Sequence, residues 1–574
     1  MPQKQNNRFM PLIMALCVVI GILIGTFYAN HFSGNRLSII NSSSSKLNTL
    51  LHIIDDKYVD TVDVNNLVEK AMPQILAELD PHSVYISAKD VQIATDDLKG
   101  SFSGVGIEFT IRQDTLHVQQ VISNGPAERA GVIAGDKIVV VDDQPFTGKT
   151  LTNEEAMHRL KGPKDTKVKL GILRYGENKI RDIVVTRGAI PTKSVTAAYM
   201  LDAETGYLRI KNFGENTYPE LLIALAKLSQ NNFRNLTIDL RGNTGGYLQS
   251  AVQIATEFLP KNRLIVYTQG LKSPRQEYRS YGRGSYQQIP LVVLIDEGSA
   301  SASEILAGAI QDNDRGTIIG RRSFGKGLVQ EPIEFNDHSM IRLTIARYYS
   351  PSGRCIQKPY TSGENKNYEE DILTRYEHGE FFSQDSIKHE GKEYHTAIGR
   401  PVYGGGGITP DIFVAEDTTD VTSYYKQASM SGLIIQFAYT YVDDNRQKLS
   451  EFRSAKELSR YLVKQNTVEK FANYAEKNGL KRRNLMIQRS HKLLERYINS
   501  RIVYNMLNEE AWMQYLNEDD PTIMETQKVF RENKAFPQAP VKEEEKEDNK
   551  KVAQANAYDY RSTHMKATFT ACMS

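Results

Sequence analysis

Cysteine is scarce in this chain of 574 residues, with three in all: Cys17 in an apolar run, Cys572 almost at the end, and Cys355 alone in the body. No zinc or redox spacing surrounds Cys355, and a disulfide framework is excluded. An excess of one charge sign is also lacking, since 71 Lys and Arg stand against 69 Asp and Glu for a net +2. That balance gives no sign of a nucleic-acid binder or of a strongly acidic partner. Internal repeats are absent. Long apolar runs are absent with one exception, "FMPLIMALCVVIGILIGTFY" from Phe9 to Tyr28, which contains no Asp, Glu, Lys or Arg. At about 1.5 Å per residue a helix of this length roughly crosses a ~30 Å hydrocarbon core. Lys4 and Arg8 precede it and the next positive charges are Arg36 and Lys46, which predicts a cytoplasmic N-terminus with the bulk of the chain outside. The run is long for a signal-peptide core and no A-x-A-like site follows it, so an uncleaved anchor is expected. Leu16 is too large for the residue before a lipidated cysteine.

What is present divides into regions. Leu37 to about Lys99 carries apolar residues at three- and four-residue spacing and predicts helices. From Phe102 to about Val185 short β-branched runs broken by glycine predict a compact β-rich domain, with "PAERAGV" and "TNEEAMHRL" as short helices. From about Ile190 to Glu416 apolar runs alternate with helical stretches: "NLTIDLRG", "LQSAVQIATEFL", "PLVVLID", "SASEILAGAIQD" and "RGTIIG". Such alternation argues for an α/β layer structure with polar motifs at strand ends. After Thr422 the chain is helix- and tyrosine-rich through Phe536, and "PQAPVKEEEKEDNKK" then has the composition of a solvated tail.

Ser299, Ser301 and Ser303 alternate where the strand "LVVLID" turns into a helix. Unpaired N–H groups at such a helix start can stabilise a developing oxyanion. Ser301 and Glu304 also fit a capping box, a purely structural use of the same residues. Histidine is missing nearby, the nearest on either side being His158 and His338, so imidazole is not the obvious base. In "RRSFGKGLVQE", Lys326 stands between two glycines and Gln330 lies four residues on, on the same side of an extended strand. A lysine accepts a proton only when neutral, and burial lowers its pKa toward that state. Gly325 and Gly327 would let this backbone approach the serine.

The stretch "GSASASEILAGAIQDNDRGTIIGRRSFGKGLVQ" resembles the active-site signature of the carboxyl-terminal processing peptidases, also called tail-specific proteases. The resemblance implies Ser301 as nucleophile, Lys326 as general base and Gln330 as the residue holding that lysine. "NLTIDLRGNTGG" is similar to the family's strand and glycine turn, which implies backbone oxyanion donors at Gly246 and Ala302. Asp239 and Arg241 read as a structural ion pair. Asp312, three turns after Ser301, reads as a supporting group or a solvated carboxylate at the helix end. "ELDPHSVYIS" also resembles the family, with His82 as a turn residue.

The β-rich unit resembles a PDZ domain, carried most strongly by "GPAERAGVIAGDKI". PDZ domains add a peptide C-terminus as a strand and hold its carboxylate in a glycine-containing loop. Gly104, Val105, Gly106 and Ile107 form the candidate peptide-binding loop. Lys161 stands where some relatives have a basic residue that couples peptide binding to activation. Together these readings predict an α/β multidomain protein: 1–34 cytoplasmic tip and transmembrane anchor, 35–100 helical, 101–188 PDZ, 189–420 α/β serine peptidase core, 421–537 helical, 538–574 charged tail. The resemblance spans about Leu37 to Val414, and Thr422 onward matches no motif.

The expected activity is that of a serine endopeptidase of the bacterial cell envelope, anchored in the inner membrane with its catalytic region on the periplasmic side. Its partners would be proteins or peptides with free C-termini. No metal or cofactor is implied, because no ligand cluster of suitable spacing occurs. A non-catalytic or partner-activated PDZ adaptor of the envelope is the alternative. A Ser-His-Asp hydrolase of small molecules is disfavoured by the missing G-x-S-x-G elbow.

Overall fold

A computed structural model describes residues 16, 18–21 and 36–539, apart from 113, 123, 150, 175, 176, 178, 364–367, 369 and 390. The expected anchor Phe9–Tyr28 falls mostly outside these residues, as does the tail from 540 on. Among the described residues no helix is long and apolar enough to cross a membrane. Two units are separate, Met1–Glu78 and Leu79–Ser574. The first contains the helices Arg36–Lys57 and Val64–Ala77, the latter N-capped by the Asp63 carboxylate, which accepts from Asn66 N–H at 3.1 Å.

The larger unit is built around a six-stranded sheet. Thr205–Ile210, Asn235–Asp239, Leu291–Ile295, Thr317–Gly320 and Ile412–Phe413 run parallel, and Val195–Met200 pairs antiparallel at one edge. Parallel strands are buried on both faces and read as continuous apolar runs. Leu291–Ile295, "LVVLI", is buried at every position. One face packs on the helices Thr217–Ser229, Leu248–Phe258 and Ala302–Asp312 through Leu225, Ile254, Phe258, Leu306 and Ile310.

The other face is sealed from far along the chain. Met513, Ile523, Val529 and Phe530, from the helices Glu509–Asn517 and Pro521–Arg531, cluster with Tyr207, Val292, Leu294 and Ile319 of the sheet. Glu510 accepts from Ala198 N–H at 3.0 Å and pairs with Lys227 at 2.9 Å. The helices between Ser423 and Met506 have their own core, including Tyr424, Ile434, Phe471, Leu494 and Ile498.

A second, antiparallel sheet carries Leu328–Glu334 beside Met340–Tyr349, followed by Leu264–Gln269 and Gln276–Arg279. Its far edge is Val84–Ile86. That strand corrects the expectation of an all-helical region before residue 100. "VYI" is too short to show alternation, and it becomes a strand by hydrogen bonding to Met340–Arg342.

The β-rich domain is an antiparallel sheet in the order Ile107–Arg112, Thr115–Val121, Lys137–Val141, Lys167–Leu173, Ile180–Thr186. The helices Pro126–Ala130 and Asn153–Leu160 complete it. Its core contains Leu116, Ile138, Leu170, Ile172 and Val185. Tyr504 of the C-terminal helices donates to Glu108 of its first strand at 3.0 Å.

Ile523 is 2% exposed against the sheet. Ile523→Ala is expected to cost about 2–4 kcal/mol, read as a lower denaturant midpoint for the transition that reports the parallel sheet. An unchanged midpoint would mean that the C-terminal helices do not seal it.

Candidate active site

The loop after Leu291–Ile295 turns at Asp296, whose Oδ1 accepts from Gly242 N–H at 2.8 Å and Gly298 N–H at 3.0 Å. Ser299 is fully buried and donates to Leu240 O at 2.8 Å, and Ser303 donates to Asn243 O at 2.8 Å. Both are turn and helix-start residues. Ser301 between them has φ +56° and ψ −114° at the N-cap of Ala302–Asp312. A non-glycine residue held there costs about 1–3 kcal/mol, so its surroundings must impose it. Ala302 is the first helical residue, and its N–H has no acceptor within the helix.

One imposing element is the loop Gly242–Gly246. Asn243, fully buried, donates to Ile210 O at 2.9 Å and accepts from Gly245 N–H at 2.8 Å, while its carbonyl accepts from Ala300 N–H at 2.9 Å. Gly245 has φ +101°, and a Cβ there would lie 2.7 Å from Ser301 Cβ and 2.7 Å from Ala300 O. Only glycine fits that contact. Gly245 O accepts from Phe213 N–H at 2.9 Å. In a planar trans peptide the N–H of Gly246 therefore points away from Phe213. Beneath the loop, Asp239 binds Arg241 at 2.7 Å and Arg209 at 3.5 Å, and Arg241 reaches Asp520 at 2.7 Å. Burial opposes ionisation of Asp239, but the two guanidinium groups outweigh it and hold the carboxyl well below its usual range. The expected ion pair is thus half of a four-member network.

The second element is Glu304, 2% exposed. Its carboxylate accepts from Ser301 N–H at 2.9 Å, Ser323 Oγ at 2.5 Å, Gly325 N–H at 2.7 Å and Lys326 N–H at 2.8 Å. Burial pushes its pKa up to about 7, against the pull of those donors. Its spacing from Ser301 suggested a cap. The link to the lysine segment, some twenty residues on, had no local signal.

Lys326 lies in the loop just before Leu328–Glu334 and is partly buried. Its pKa is lowered by burial first and by the charge of Arg342 second, with Glu304 and Asp80 opposing. The glycines beside it do not serve approach to the serine. A Cβ on Gly325 would meet Gly407 N at 3.1 Å, and one on Gly327 would meet Gln357 N at 2.8 Å. A bulge at Val329/Gln330 breaks the simple alternation expected from Lys326 to Gln330. Gln330 donates instead to His82 O at 3.1 Å. His82 is more than a turn residue: its Nε2 lies 2.8 Å from Tyr368 Oη, and burial, then the charge of Lys326, lower its pKa to about 4. Asp80 organises this turn, accepting from His82 N–H, Ser83 N–H, Ser83 Oγ and Thr344 Oγ1 at 2.6–3.0 Å.

Ser301, Lys326, Gln330, Gly245 and Gly246 line one cleft of about 1460 Å³. Ile305, Leu328, Met340, Ala346 and Tyr348 give it an apolar side. Asp312 lies outside the cleft and is not solvated: it binds Arg354 at 2.7 Å with both side chains fully buried. Cys355 is a partly buried free thiol whose pKa burial raises. Among the described residues no cluster of His, Cys, Asp or Glu could hold a metal ion.

In the β-rich domain Val105 is buried and its carbonyl accepts from Ala127 N–H at 2.8 Å. Gly106 has φ +81° and packs where a Cβ would lie 2.7 Å from Ile190 Cδ1. Ile107 begins the edge strand of the sheet, paired on one side with Thr115–Val121. Lys161, at the end of Asn153–Leu160, lies 3.5 Å from Asp96 and 4.6 Å from the Phe102 ring centroid.

A strained serine at a helix start, facing a glycine loop beside a domain whose edge strand Ile107–Arg112 pairs on one side with Thr115–Val121, defines the class: a peptide-directed serine hydrolase. Residues 204–365 match Peptidase family S41, 103–185 match the PDZ domain, and 424–508 match a family of unknown function (DUF8443). The carboxy-terminal-processing protease of Bartonella bacilliformis is 40% identical over 306 residues, covering 52% of this chain and 69% of that protein. The carboxyl-terminal-processing protease of Synechocystis is 37% identical, covering 50% and 68%. The solved structure of a photosystem II D1 C-terminal processing protease is 27% identical with a TM-score of 0.33, covering 64% of this chain and 86% of that one. The chain belongs to the carboxy-terminal processing proteases of Peptidase family S41 and is a serine-type endopeptidase with a PDZ domain and a helical C-terminal region.

Gly245→Ala would drive a methyl group into Ser301 and Ala300. Peptide cleavage is expected to fall about 10²-fold, the scale of a 1 Å misplacement. Wild-type turnover in a folded variant would show that the loop does not set the serine's position.

Proposed function

We propose that the chain cleaves proteins by Ser-Lys catalysis, with Ser301 as nucleophile and Lys326 as general base. The observation that carries this reading is the shared cleft, in which a backbone-strained serine and a lysine with lowered pKa are tied to the same buried carboxylate. Neutral Lys326 takes the Ser301 Oγ proton as Oγ attacks the scissile carbonyl. The N–H groups of Ala302 and Gly246 receive the oxyanion. The leaving amine takes the proton back from Lys326, and water activated by the same lysine releases the acyl group. Gln330 holds the His82 turn against the lysine segment. Burial and the charge of Lys326 keep His82 neutral at physiological pH, with its Nε2 2.8 Å from Tyr368 Oη.

Substrates would be proteins with free C-termini. The terminal carboxylate would meet the loop Gly104–Ile107, and the peptide would add to the edge strand Ile107–Arg112. The apolar side of the cleft favours an apolar residue before the cut. Location in the bacterial envelope, with the catalytic region on the periplasmic side of an N-terminal anchor, rests on the sequence of Phe9–Tyr28 and the charges flanking it.

An unfolded test protein with a free or amidated C-terminus, followed by mass spectrometry, tests the reading. Cleavage should vanish in Ser301→Ala and Lys326→Ala and should favour the free carboxylate. Binding without cleavage by folded wild-type protein would instead indicate an adaptor or a peptidase awaiting a partner.

The electrostatics give a second test. Activity should rise with pH through a value below the ordinary lysine range. Arg342 disfavours the Lys326 ammonium, so Arg342→Gln raises the lysine pKa and should move this limb to higher pH. An unmoved or acid-shifted limb would contradict the assignment of Lys326 as base.

A further inference from the structure

Tyr348, on the strand Met340–Tyr349, is 3% exposed and belongs to the main core. Its N–H donates to Gly327 O at 3.0 Å, which fixes it beside the lysine segment. Its hydroxyl faces the Ser301 side chain and yet has no hydrogen-bond partner of ordinary geometry among the described residues. Leaving a buried hydroxyl unpaired costs free energy that phenylalanine would avoid. Tyr424 and Tyr441 share that condition, but they lie in the core of the C-terminal helices. Tyr348 lines the cleft that holds Ser301 and Lys326.

Resting on the Ser-Lys reading, we propose that Tyr348 is a further catalytic residue, donating its hydroxyl hydrogen to Ser301 Oγ while that oxygen carries charge. As the Oγ proton passes to Lys326 Nζ, the freed electron pair forms the bond to the carbonyl carbon, and the carbonyl π pair moves to the oxyanion. Tyr348 steadies Oγ during the transfer and keeps its own proton. When the C–N bond breaks, the amine takes the proton from Lys326. In deacylation Oγ leaves with the electron pair, is met by the same donor, and recovers its proton from Lys326. Burial, with Glu304, Cys355 and Tyr368 nearby, pushes the phenol well above its usual range, so it serves as a donor and not as a base.

Tyr348→Phe removes one oxygen from a packed ring and tests the proposal in the full chain. Single-turnover acylation by an activated ester peptide should slow about ten- to a hundredfold, the scale of a charge-assisted or oxyanion-type donor. Peptide affinity, measured in the Ser301→Ala background with and without the change, should stay the same, and the thermal midpoint should hold or rise, since the change removes an unpaired buried hydroxyl. Acylation at the wild-type rate would overturn the proposal. So would a loss that follows peptide affinity, or a changed preference for the residue before the cut at intact rate, since each makes Tyr348 a pocket wall. Absence of a Ser301 adduct in the wild-type protein would instead overturn the Ser-Lys reading itself.

Discussion

The Glu304 carboxylate is the point on which the site depends. Four donors from two segments converge on it: Ser301 N–H from the helix start, and Ser323 Oγ, Gly325 N–H and Lys326 N–H from one loop. A buried charge is tolerated only when it is paired or hydrogen-bonded, and four donors satisfy this one. The same bonds fix the start of the helix Ala302–Asp312 and the backbone of Lys326 relative to each other. Ser301 can therefore be held at positive φ, and Lys326 can lie in a partly dry cleft where its pKa falls. Serine and lysine do not need to hold each other, because their backbones share a clamp.

A second constraint works from beneath. Asp239 ends a central strand and faces two arginines, Arg209 and Arg241, so one buried carboxylate would leave an unbalanced positive charge. Asp520, N-capping Pro521–Arg531, supplies the fourth charge through Arg241. The helix it caps also seals the open face of the parallel sheet. Residues beyond the stretch 204–365 that matches Peptidase family S41 thus complete the core of the parallel sheet, and the preceding helices reach the PDZ domain at Glu108.

The parts legible in the sequence were those with local signals. The alternation of strands and helices from Leu236 to Gly320 followed from apolar runs and their periods, and the position of Ser301 followed from a strand meeting a helix. The lysine was visible as a residue between glycines in a matching motif. Asn243 and His82 stood in stretches that resemble the family, but their contacts and the place of Tyr348 were not legible, because these lie across the chain. Gln330 and His82 are 248 residues apart. Gln330 was expected to hold the lysine from the resemblance, and alternation put both on one side of the strand; the bulge at Val329/Gln330 breaks that alternation. For the helices after Thr422 the apolar faces could be seen but not what they cover, since period gives the stripe and only the fold gives its partner.

In the proposed mechanism Ser301 reacts because a neutral Lys326 accepts its proton. The most direct measurement of this step is the rate at which a fluorophosphonate modifies Ser301, identified by peptide mapping, as a function of pH in wild-type protein and in Lys326→Ala. Modification should be confined to Ser301, rise through one titration below the ordinary lysine range, and become slow in Lys326→Ala across the same pH interval. Equal rates in the two proteins, or modification at another serine, would contradict the account.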